Sequence, residues 1–571
     1  MSDKLKDYRE AKGALPTENL AWQLYGAGIE NFGQNGKPAM LPMPKYGPDE
    51  LLARVDAIGI CFSDIKLITQ GSSHPRITGR DLIKNPVVPG HEVSLTIVGV
   101  GDNLKNQFAV GEKYVVQADI YFGGVNTAYG YALQGGMAQY GVLGKEILQG
   151  DEGCYLLPVK PETGYAEAAL TEPWACVVAS YRIKPRTVMK EGGVALFIGP
   201  SDVGKCEIPS NARPGKVILA GVGDAVDKSA FPGAEIIEIG PIQAAELTAL
   251  SQERTGGRGF DDVVVLGNKE PELIEALDRH IAKDGVLCIL ADEPMSKPVA
   301  VDVGRVHYDS VLYVGGDSIA KAYESTTSSE FKTGGNAWFI GAAGPMGQMH
   351  VERAVQMNNG PSRILATDID SGRLEMLRDK VEAAAKQKGI DIRFVNSMET
   401  SEADLAAIRD EMTAGAGFDD IVVLAPVPAL IEEGSRHLAN SGKMNIFAGV
   451  PRGTIACLDV SPVYMSYGRW LGSSGSRISD LQHTLAEAES GVLPTNRSVA
   501  AIGGIDAVGD GVKAVKEARF PGKTVIFPQI ANLPLTALPD LKEVLPKVYE
   551  KLEGGRFWTK EAEDELLREK L

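Results

Sequence analysis

The chain is poor in cysteine, and its few cysteines are scattered. Its 571 residues include six of them, and no two form a CxxC pair. They are Cys61, Cys154, Cys176, Cys206, Cys288 and Cys457. This usage argues against a disulfide framework and against a multi-cysteine structural metal site, and it is typical of proteins in a reducing compartment.

Basic charge and long apolar segments are also scarce. The formal net charge is -17 and the sequence pI is near 5.1. Sequence-independent binding to nucleic acid or to an anionic membrane requires a basic surface, so neither partner is favoured. The amino terminus has no apolar signal-peptide region, and no segment approaches the roughly 18 apolar residues of a membrane span. We therefore predict a cytoplasmic protein that acts on a small molecule.

One domain-sized block occurs twice in the chain. GFDDVVVL, from Gly259 to Leu266, returns as GFDDIVVL, from Gly417 to Leu424. Upstream of each copy an apolar run ends in a glycine-rich turn, and β-branched runs alternate with helical stretches around both copies. Such alternation predicts a parallel sheet with helices on both faces. We call residues 191–333 the first repeat and residues 334–477 the second repeat, and we expect helices in the second at residues 373–388 and 402–413.

The segments outside the repeats differ in character. Residues 41–146 read as short alternating strands separated by Gly and Pro, which predicts an all-β module, most simply a barrel. The predicted domains are residues 1–190, 191–333, 334–477 and 478–571, the last returning to the first module. Residues 541–571 alternate acidic and basic side chains, so we expect a solvated surface helix there.

Potential metal ligands cluster in and just after the β module. Cys61 precedes Ser63, and His91 and Glu92 follow about thirty residues later, while Glu172 lies in a TEP segment. One thiolate, one imidazole and one or two carboxylates make a plausible zinc set, and catalytic zinc keeps one position open. Taken singly, each residue also has a structural explanation, since a lone cysteine in a strand is usually part of the core.

Several segments together resemble the zinc-dependent medium-chain dehydrogenase/reductase family, which includes sorbitol and threonine dehydrogenases. They are DELLARVDAIGICFSDIK, VPGHEV, GGMAQY, TEPWACV and GKTVIFP. The resemblance implies that Cys61 and His91 bind a catalytic zinc, with Glu92 and Glu172 as alternative or water-mediated ligands. It also implies a GroES-like β-barrel catalytic domain, to which two tandem Rossmann-like doubly wound domains are joined.

The same resemblance assigns further roles and one absence. Ser63 would contact the substrate oxygen and begin a proton relay, and Asp64 would orient the imidazole. Residues 115–136 contain no cysteine where many relatives have a four-cysteine lobe. We therefore predict no structural zinc.

The glycine turn of the second repeat has the features of a dinucleotide site. It lies between a strand and a helix, and the next strand ends in an acid roughly 20 residues later. The candidate cofactor-binding residues are Gly341, Ala343, Gly344, Pro345, Met346, Gly347, Asp368 and Arg373. Because Asp368 would repel a 2′-phosphate, NAD is favoured over NADP.

The first repeat lacks these features. Its turn has Ser201 where close backbone approach requires glycine and Asp202 where a carboxylate would face phosphate charge, and the aligned acid is replaced by Gly221. Pro209 and Pro214 fall where the crossover helix should lie, so we expect that helix to be short or lost. We predict that this repeat does not bind a dinucleotide in the usual way.

The combined prediction is reversible hydride transfer between NAD and a secondary alcohol. The turn GAAGPMGQMHVERA resembles that of sorbose-1-phosphate reductase-like members, which favours a polyol, sugar or sugar phosphate. Two alternatives stay open: an epimerase or lyase with tightly bound NAD+, and a non-enzymatic metabolite-binding protein. The resemblance also implies a homo-oligomer, either a dimer or a tetramer.

The loop between Cys61 and His91 is basic, which allows two interpretations. It carries His74, Arg76, Arg80 and Lys84. Such a loop could hold a phosphate or carboxylate of the substrate, or it could be a solvated surface loop.

Overall fold

The computed structural model describes residues 4–267, 270–324 and 328–571. The chain divides into two compact units. The first unit comprises Met1–Val178, Gly344–Met349 and Gly475–Leu571, and the second comprises Ala179–Ala343 and His350–Ser474. The four domain boundaries inferred from the sequence stay predictions.

The main sheet of the first unit combines strands from both ends of the chain. In sheet order its strands are Thr536–Ala537, Val499–Gly504, Lys523–Phe527, Leu51–Ile60, Glu92–Val100, Lys113–Val116 and Leu156–Val159, and Tyr140–Leu143 also pairs with Leu51–Ile60. The central strand Leu51–Ile60 is buried at every position. It therefore gives a rigid base to the residues that follow it. Two hairpin pairs complete the strands: Glu18–Ala21 with Ala39–Pro42, and Tyr121–Phe122 with Val125–Asn126.

The helices around this sheet include one that the sequence analysis missed. They are Lys4–Arg9, Phe62–Gln70, Lys145–Leu148, Tyr165–Ala169, Thr171–Ser180, Ile478–Glu489, Val508–Lys516, Leu541–Val544, Pro546–Tyr549 and Lys560–Lys570. Short 3-10 turns lie at Ile29–Asn31, Gly71–Ser73, Pro75–Ile77, Asp102–Leu104, Thr495–Ser498 and Ile505–Ala507. The expectation of strands alone was wrong at Phe62–Gln70, where the Asp64 carboxylate accepts the Cys61 N–H and starts a helix.

The carboxy-terminal tail is not the solvated surface helix that we expected. Trp558 is 1% exposed, and Leu566 and Leu567 are equally buried. They belong to one apolar cluster with Phe527 of the main sheet and Tyr165. The expectation was wrong because one face of Lys560–Lys570 packs against the core and buries even the Glu563 carboxylate, which accepts the backbone N–H groups of Tyr165 and Ala166.

The second unit contains two six-stranded parallel sheets of identical order. In the first repeat the strands run Glu235–Ile239, Lys216–Ala220, Val194–Ile198, Phe260–Leu266, Ile281–Leu290 and Leu312–Gly315 across the sheet. In the second repeat they run Asp391–Asn396, Arg363–Asp368, Asn336–Ile340, Phe418–Val423, Leu438–Ile446 and Arg469–Leu471. Numbered along the chain, both orders are 3-2-1-4-5-6, the doubly wound arrangement of dinucleotide-binding folds. The predicted fold class is confirmed.

The helices differ between the repeats in the predicted way. The first repeat has Leu247–Thr255, Pro271–Asp278, Val303–Tyr308 and Ile319–Glu324, with 3-10 turns at Gly223–Ala225, Lys228–Ala230 and Ala244–Glu246. The second has Pro345–Gln356, Ser371–Lys388, Glu402–Thr413, Pro428–Ser435 and Ser461–Met465. Residues 199–215 of the first repeat are all described and contain no helix, which confirms the loss predicted from Pro209 and Pro214.

A two-stranded antiparallel ribbon joins the repeats. Val299–Asp302 of the first repeat pairs with Ile455–Leu458 of the second. The sequence analysis did not foresee this ribbon. Among the described residues, no helix is both long enough and apolar enough to cross a membrane.

Candidate functional site

Sheet pairing brings the candidate metal ligands together. Gly59, near the end of strand Leu51–Ile60, is opposite Glu92, the first residue of the neighbouring strand. Cys61 follows the first strand directly and His91 precedes the second, so the antiparallel register places them at the same edge of the sheet. On the other side Ile60 is opposite Thr524, which brings Lys523 to this edge as well.

Three of the predicted residues form a compact donor group. One ligand atom each from Cys61, His91 and Glu92 lies within 4.8 Å of the others. His91 and Glu92 are buried, and Cys61 is half-buried. A thiol, an imidazole and a carboxylate at this spacing match the donor types and number of protein ligands at a catalytic zinc site.

The Glu92 carboxylate is held by a buried lysine and retains one free oxygen. Lys523 Nζ donates to Glu92 Oε1 at 2.5 Å. Glu92 Oε2 is buried and has no hydrogen-bonding partner among the described residues. A Cβ on Gly59 would lie 2.1 Å from that oxygen, so only glycine leaves room for it. A buried carboxylate oxygen without a partner costs free energy unless a cation or donor meets it.

The imidazole of His91 lies between a carboxylate and a hydroxyl. Its Nδ1 is 3.3 Å from Asp64 Oδ1, and its Nε2 is 3.3 Å from Ser63 Oγ. Burial lowers the pKa of His91, but the Asp64 carboxylate outweighs burial and raises it well above its ordinary value. Asp64 is fixed by two backbone donors, the N–H groups of Cys61 and Gly90. The ring orientation is therefore set by a rigid carboxylate.

Glu172 lies near this centre but outside the three-residue donor group. It is in the helix Thr171–Ser180, and its Oε1 is 3.9 Å from Cys176 Sγ. Burial raises the pKa of Glu172 to about 7. The electrostatic effect of His91 opposes this increase, and that of Glu92 adds to it. The structure thus brings Cys61, His91 and Glu92 together more closely than it brings Glu172 to them.

Two residues beside the centre were missed as site residues. Lys523 entered the sequence analysis only as part of the GKTVIFP motif, because nothing local shows that it meets a glutamate 431 positions away. Tyr131 stacks against His91, with ring centroids 5.7 Å apart, and against His74 at 5.3 Å. A tyrosine in a glycine-rich loop has no sequence feature that marks it as a neighbour of a metal ligand.

The basic loop divides into structural and candidate binding residues. Arg80 donates to the carbonyls of Ala132, Asn85 and Pro86 and so fixes the loop backbone. Lys84 is strongly exposed and pairs with Asp81. Arg76 lies over the Tyr131 ring at 4.7 Å and pairs with Asp119 at 2.6 Å. Arg76 therefore lies over the face of Tyr131, the ring that also packs against His91.

The glycine turn of the second repeat is braced by its predicted acid. Gly341 has φ of 82°, which favours glycine. Asp368 Oδ2 accepts the Ala343 N–H at 2.8 Å, and its Oδ1 accepts the Ile369 N–H at 2.8 Å. Gly344 has no atom of the described chain within 4 Å of where a Cβ would stand, so the backbone there is open to a close neighbour.

The remaining predicted cofactor residues lie around the two helices that follow. Pro345, Met346 and Gly347 are in the first turn of Pro345–Gln356, whose N–H groups point back along the axis toward the turn. Arg373 is in the first turn of Ser371–Lys388, where Asp370 caps its N–H.

The equivalent turn of the first repeat packs against the neighbouring strand at its first glycine. A Cβ on Gly199 would lie 2.3 Å from the carbonyl oxygen of Leu266. Strand Lys216–Ala220 is followed by Gly221, with φ of 73°, so the position of the acid carries no side chain. The turn therefore has neither the helix nor the carboxylate that the second repeat provides.

The chain is similar in sequence to several known proteins. Residues 47–149 match the alcohol dehydrogenase GroES-like domain. The chain is 25% identical over 540 residues to the uncharacterized protein YggP of Escherichia coli K12, covering 92% of each chain. It is 28% identical over 302 residues to mannitol-1-phosphate 5-dehydrogenase of Aliivibrio fischeri, covering 48% of this chain and 69% of that one.

A solved structure shows the same fold. The crystal structure of 2R,3R-butanediol dehydrogenase from Bacillus subtilis superimposes with a TM-score of 0.51 at 16% identity. The match covers 89% of this chain and 99% of that one.

Proposed function

We propose that the chain is a zinc-dependent medium-chain dehydrogenase/reductase that transfers a hydride between NAD(H) and a secondary alcohol or ketone. The matched GroES-like domain and the sugar-phosphate dehydrogenase relatives support this proposal. The substrate class that we propose is a polyol, a sugar or a sugar phosphate. The match to mannitol-1-phosphate 5-dehydrogenase supports the phosphorylated members of that class.

One observation carries this proposal. The donor atoms of Cys61, His91 and Glu92 lie within 4.8 Å of one another, and Glu92 Oε2 is buried without a partner among the described residues. These three residues would hold the zinc ion. When bound, zinc acts as a Lewis acid that lowers the pKa of a coordinated hydroxyl.

The surrounding residues fix the ligands and handle the proton. Asp64 orients His91 through Nδ1 and leaves Nε2 facing Ser63. We assign Ser63 Oγ, 3.3 Å from His91 Nε2, to accept the proton of the substrate hydroxyl and pass it to solvent. Lys523 donates to Glu92 Oε1 at 2.5 Å and places a positive charge beside that buried carboxylate.

We propose that the second repeat binds the cofactor and that the cofactor is NAD. The doubly wound order, the open position at Gly344 and the Asp368 carboxylate at the end of its strand support this assignment. A 2′-phosphate beside Asp368 would be repelled, which disfavours NADP.

Replacing Cys61→Ser tests the metal assignment. A serine hydroxyl is a poor zinc ligand at neutral pH, so we expect loss of most bound zinc and of NAD reduction with polyol phosphates. Cys154→Ser is the matched control, because Cys154 is exposed and lies outside the donor group. Full activity with zinc retained in the Cys61→Ser protein would overturn the proposal.

The same assay separates dehydrogenase from epimerase or lyase chemistry. A dehydrogenase produces one NADH for each alcohol oxidised, whereas an internal oxidation and reduction on tightly bound NAD+ yields no net NADH. We expect stoichiometric NADH.

A further inference from the structure

The ribbon that joins the two repeats has the register of a two-fold interface. Val301 and Leu458 occupy equivalent positions in the repeats, since VDV and LDV begin there. Ala300 is therefore equivalent to Cys457, and these two residues face each other in the ribbon.

The flanking pairs follow the same rule. Val299 pairs with Leu458, and Val301 pairs with Ala456. Val299 is equivalent to Ala456, and Leu458 is equivalent to Val301. When each residue of the first pair is replaced by its equivalent in the other repeat, the second pair results. Such self-complementary contacts are the property of an isologous interface, in which the same patch is used on both sides.

Side chains outside the ribbon repeat this symmetry. Glu275 Oε1 accepts the Ala300 N–H at 3.1 Å, and Glu432 Oε1 accepts the Cys457 N–H at 2.7 Å. The two glutamates occupy the same position in the PELIEALDRH and PALIEEGSRH segments. Each one blocks the outer edge of its own strand, so both edges of the ribbon are closed in the same way.

Close backbone contacts are reciprocal as well. A Cβ on Gly315 would lie 2.4 Å from Tyr464 Cβ, and a Cβ on Gly472 would lie 2.7 Å from His307 Cα. Gly315 is equivalent to Gly472, and His307 is equivalent to Tyr464. Each repeat therefore places a glycine against the same helix of the other repeat.

The interface is apolar and deeply buried. Val299, Val301, Val303, Leu458 and Val460 are all fully buried and belong to one core cluster that runs through both repeats. A continuous core of this kind is typical of obligate rather than transient interfaces.

We infer that the first repeat stands where a second copy of the second repeat would stand in a two-fold dimer. The self-complementary face of the second repeat is thereby closed within one chain and is not available to another chain. This role explains why a repeat that lacks the helix and the acid of a dinucleotide site keeps its sheet order and its ribbon. A homo-oligomer of the whole protein would form through another face.

A disulfide at the two-fold position tests this inference in the full-length protein. The N–H groups of Ala300 and Cys457 both point away from the ribbon, so the two residues form a non-hydrogen-bonded pair with Cα atoms about 4.5 Å apart. That spacing lies within the range of disulfides. After mild oxidation of Ala300→Cys we expect a disulfide to Cys457 within one chain, identified by peptide mass spectrometry at the mass of a single chain.

Two control variants show whether the disulfide depends on both cysteines. Ala300→Ser, and Ala300→Cys combined with Cys457→Ser, should form no such link. A disulfide between two chains would show that this face pairs intermolecularly, and it would overturn the inference. Two free thiols under oxidation would overturn it as well, because the pairing would then be absent in solution.

A steric wedge provides a second, independent measurement. A Cβ on Gly304 would lie 2.2 Å from the carbonyl oxygen of Pro451, which belongs to the other repeat. We expect Gly304→Val to lower the thermal midpoint by at least about 4 °C and to cause self-association by light scattering, because the apolar face opens. Gly240→Val is the control, since a Cβ there meets nothing within 4 Å. Equal stability and equal mass of the two variants would contradict the inference.

Discussion

Lys523 Nζ donates to Glu92 Oε1 at 2.5 Å, and the two side chains are 5% and 0% exposed. The residues lie on strands that flank Leu51–Ile60 from opposite sides. Burial lowers the pKa of Lys523, but the Glu92 charge outweighs burial and raises it above its ordinary value. The lysine is therefore a permanent positive charge beneath the candidate metal centre.

We predict that Lys523→Met destabilises the protein strongly. It leaves a buried carboxylate without its partner, which costs about 3–5 kcal/mol in comparable cases. Urea denaturation would show a lower midpoint, and zinc content would measure the effect on the ligand. Lys513→Met is the control, because Lys513 is largely exposed and its replacement should change stability by no more than about 0.5 kcal/mol.

The double variant with Glu92→Gln isolates the interaction. If the two charges compensate each other, Lys523→Met should lower the free energy of unfolding less in the Glu92→Gln protein than in the parent protein. Equal costs in both backgrounds would show that the lysine acts on stability independently of Glu92.

We predict that Asp368 determines cofactor preference. Replacing Asp368→Asn removes the charge opposed to a 2′-phosphate and weakens acceptance from ribose hydroxyls, while the amide oxygen can still accept the Ala343 N–H. A lost charge-assisted hydrogen bond of about 1.5–3 kcal/mol corresponds to a fall of about 10- to 100-fold in kcat/KM for NAD. The ratio of kcat/KM for NADP to that for NAD should rise.

Asp391→Asn is the matched control for that experiment. It removes one carboxylate from the start of the neighbouring strand of the same sheet, away from the end that carries Asp368. An unchanged preference in Asp368→Asn, or an equal shift in both variants, would refute the role of Asp368.

We predict that His350 makes the protein sensitive to acid. Burial, reinforced by Arg353, lowers the pKa of His350 to about 3, and the Tyr181 hydroxyl lies 2.5 Å from its Nδ1. The folded pKa lies below the unfolded value of about 6.5. Neutral His350 therefore contributes fully to the free energy of unfolding above about pH 6.5. Below that pH the free energy of unfolding declines by about 1.4 kcal/mol per pH unit.

His350→Gln should flatten this decline. The measurement is the thermal midpoint between pH 7 and pH 5 in the variant and in the parent. His437→Gln is the control, since His437 is partly exposed and pairs with Glu433. The same slope in His350→Gln and in the parent would show that acid sensitivity arises elsewhere.

Local signals in the sequence were enough to predict elements with clear boundaries. The helix Glu402–Thr413 was predicted at its observed bounds, and Ser401 caps it by accepting the Asp404 N–H. Parallel sheets covered by helices were predicted from the alternation of strands and helices, and the loss of one helix was predicted from Pro209 and Pro214.

Long-range relationships could not be predicted in the same way. The Lys523–Glu92 pair and the Ala300–Cys457 pair join residues far apart in the chain, and neither has a local pattern. The short helix Phe62–Gln70 was missed because the whole of residues 41–146 was predicted to form strands. Only the Asp64 carboxylate, three residues past Cys61, marked its start.

We predict that the carboxy-terminal tail is essential for stability. Trp558 is 1% exposed and packs on Phe527, with ring centroids 5.9 Å apart. Phe527 belongs to the strand that begins at Lys523. Loss of tail packing would therefore loosen the strand that supports the candidate metal centre.

Trp558→Ala should lower the free energy of unfolding by about 3–5 kcal/mol because it leaves a large cavity. Trp558→Phe should cost much less, about 1.5 kcal/mol or below, because it keeps most of the ring and removes a buried Nε1 that has no partner among the described residues. Arg556→Ala, at an exposed position two residues earlier, is the control. If the tail were a solvated helix, all three variants would have the same urea midpoint; a low midpoint in Trp558→Ala alone requires the tail to be part of the core.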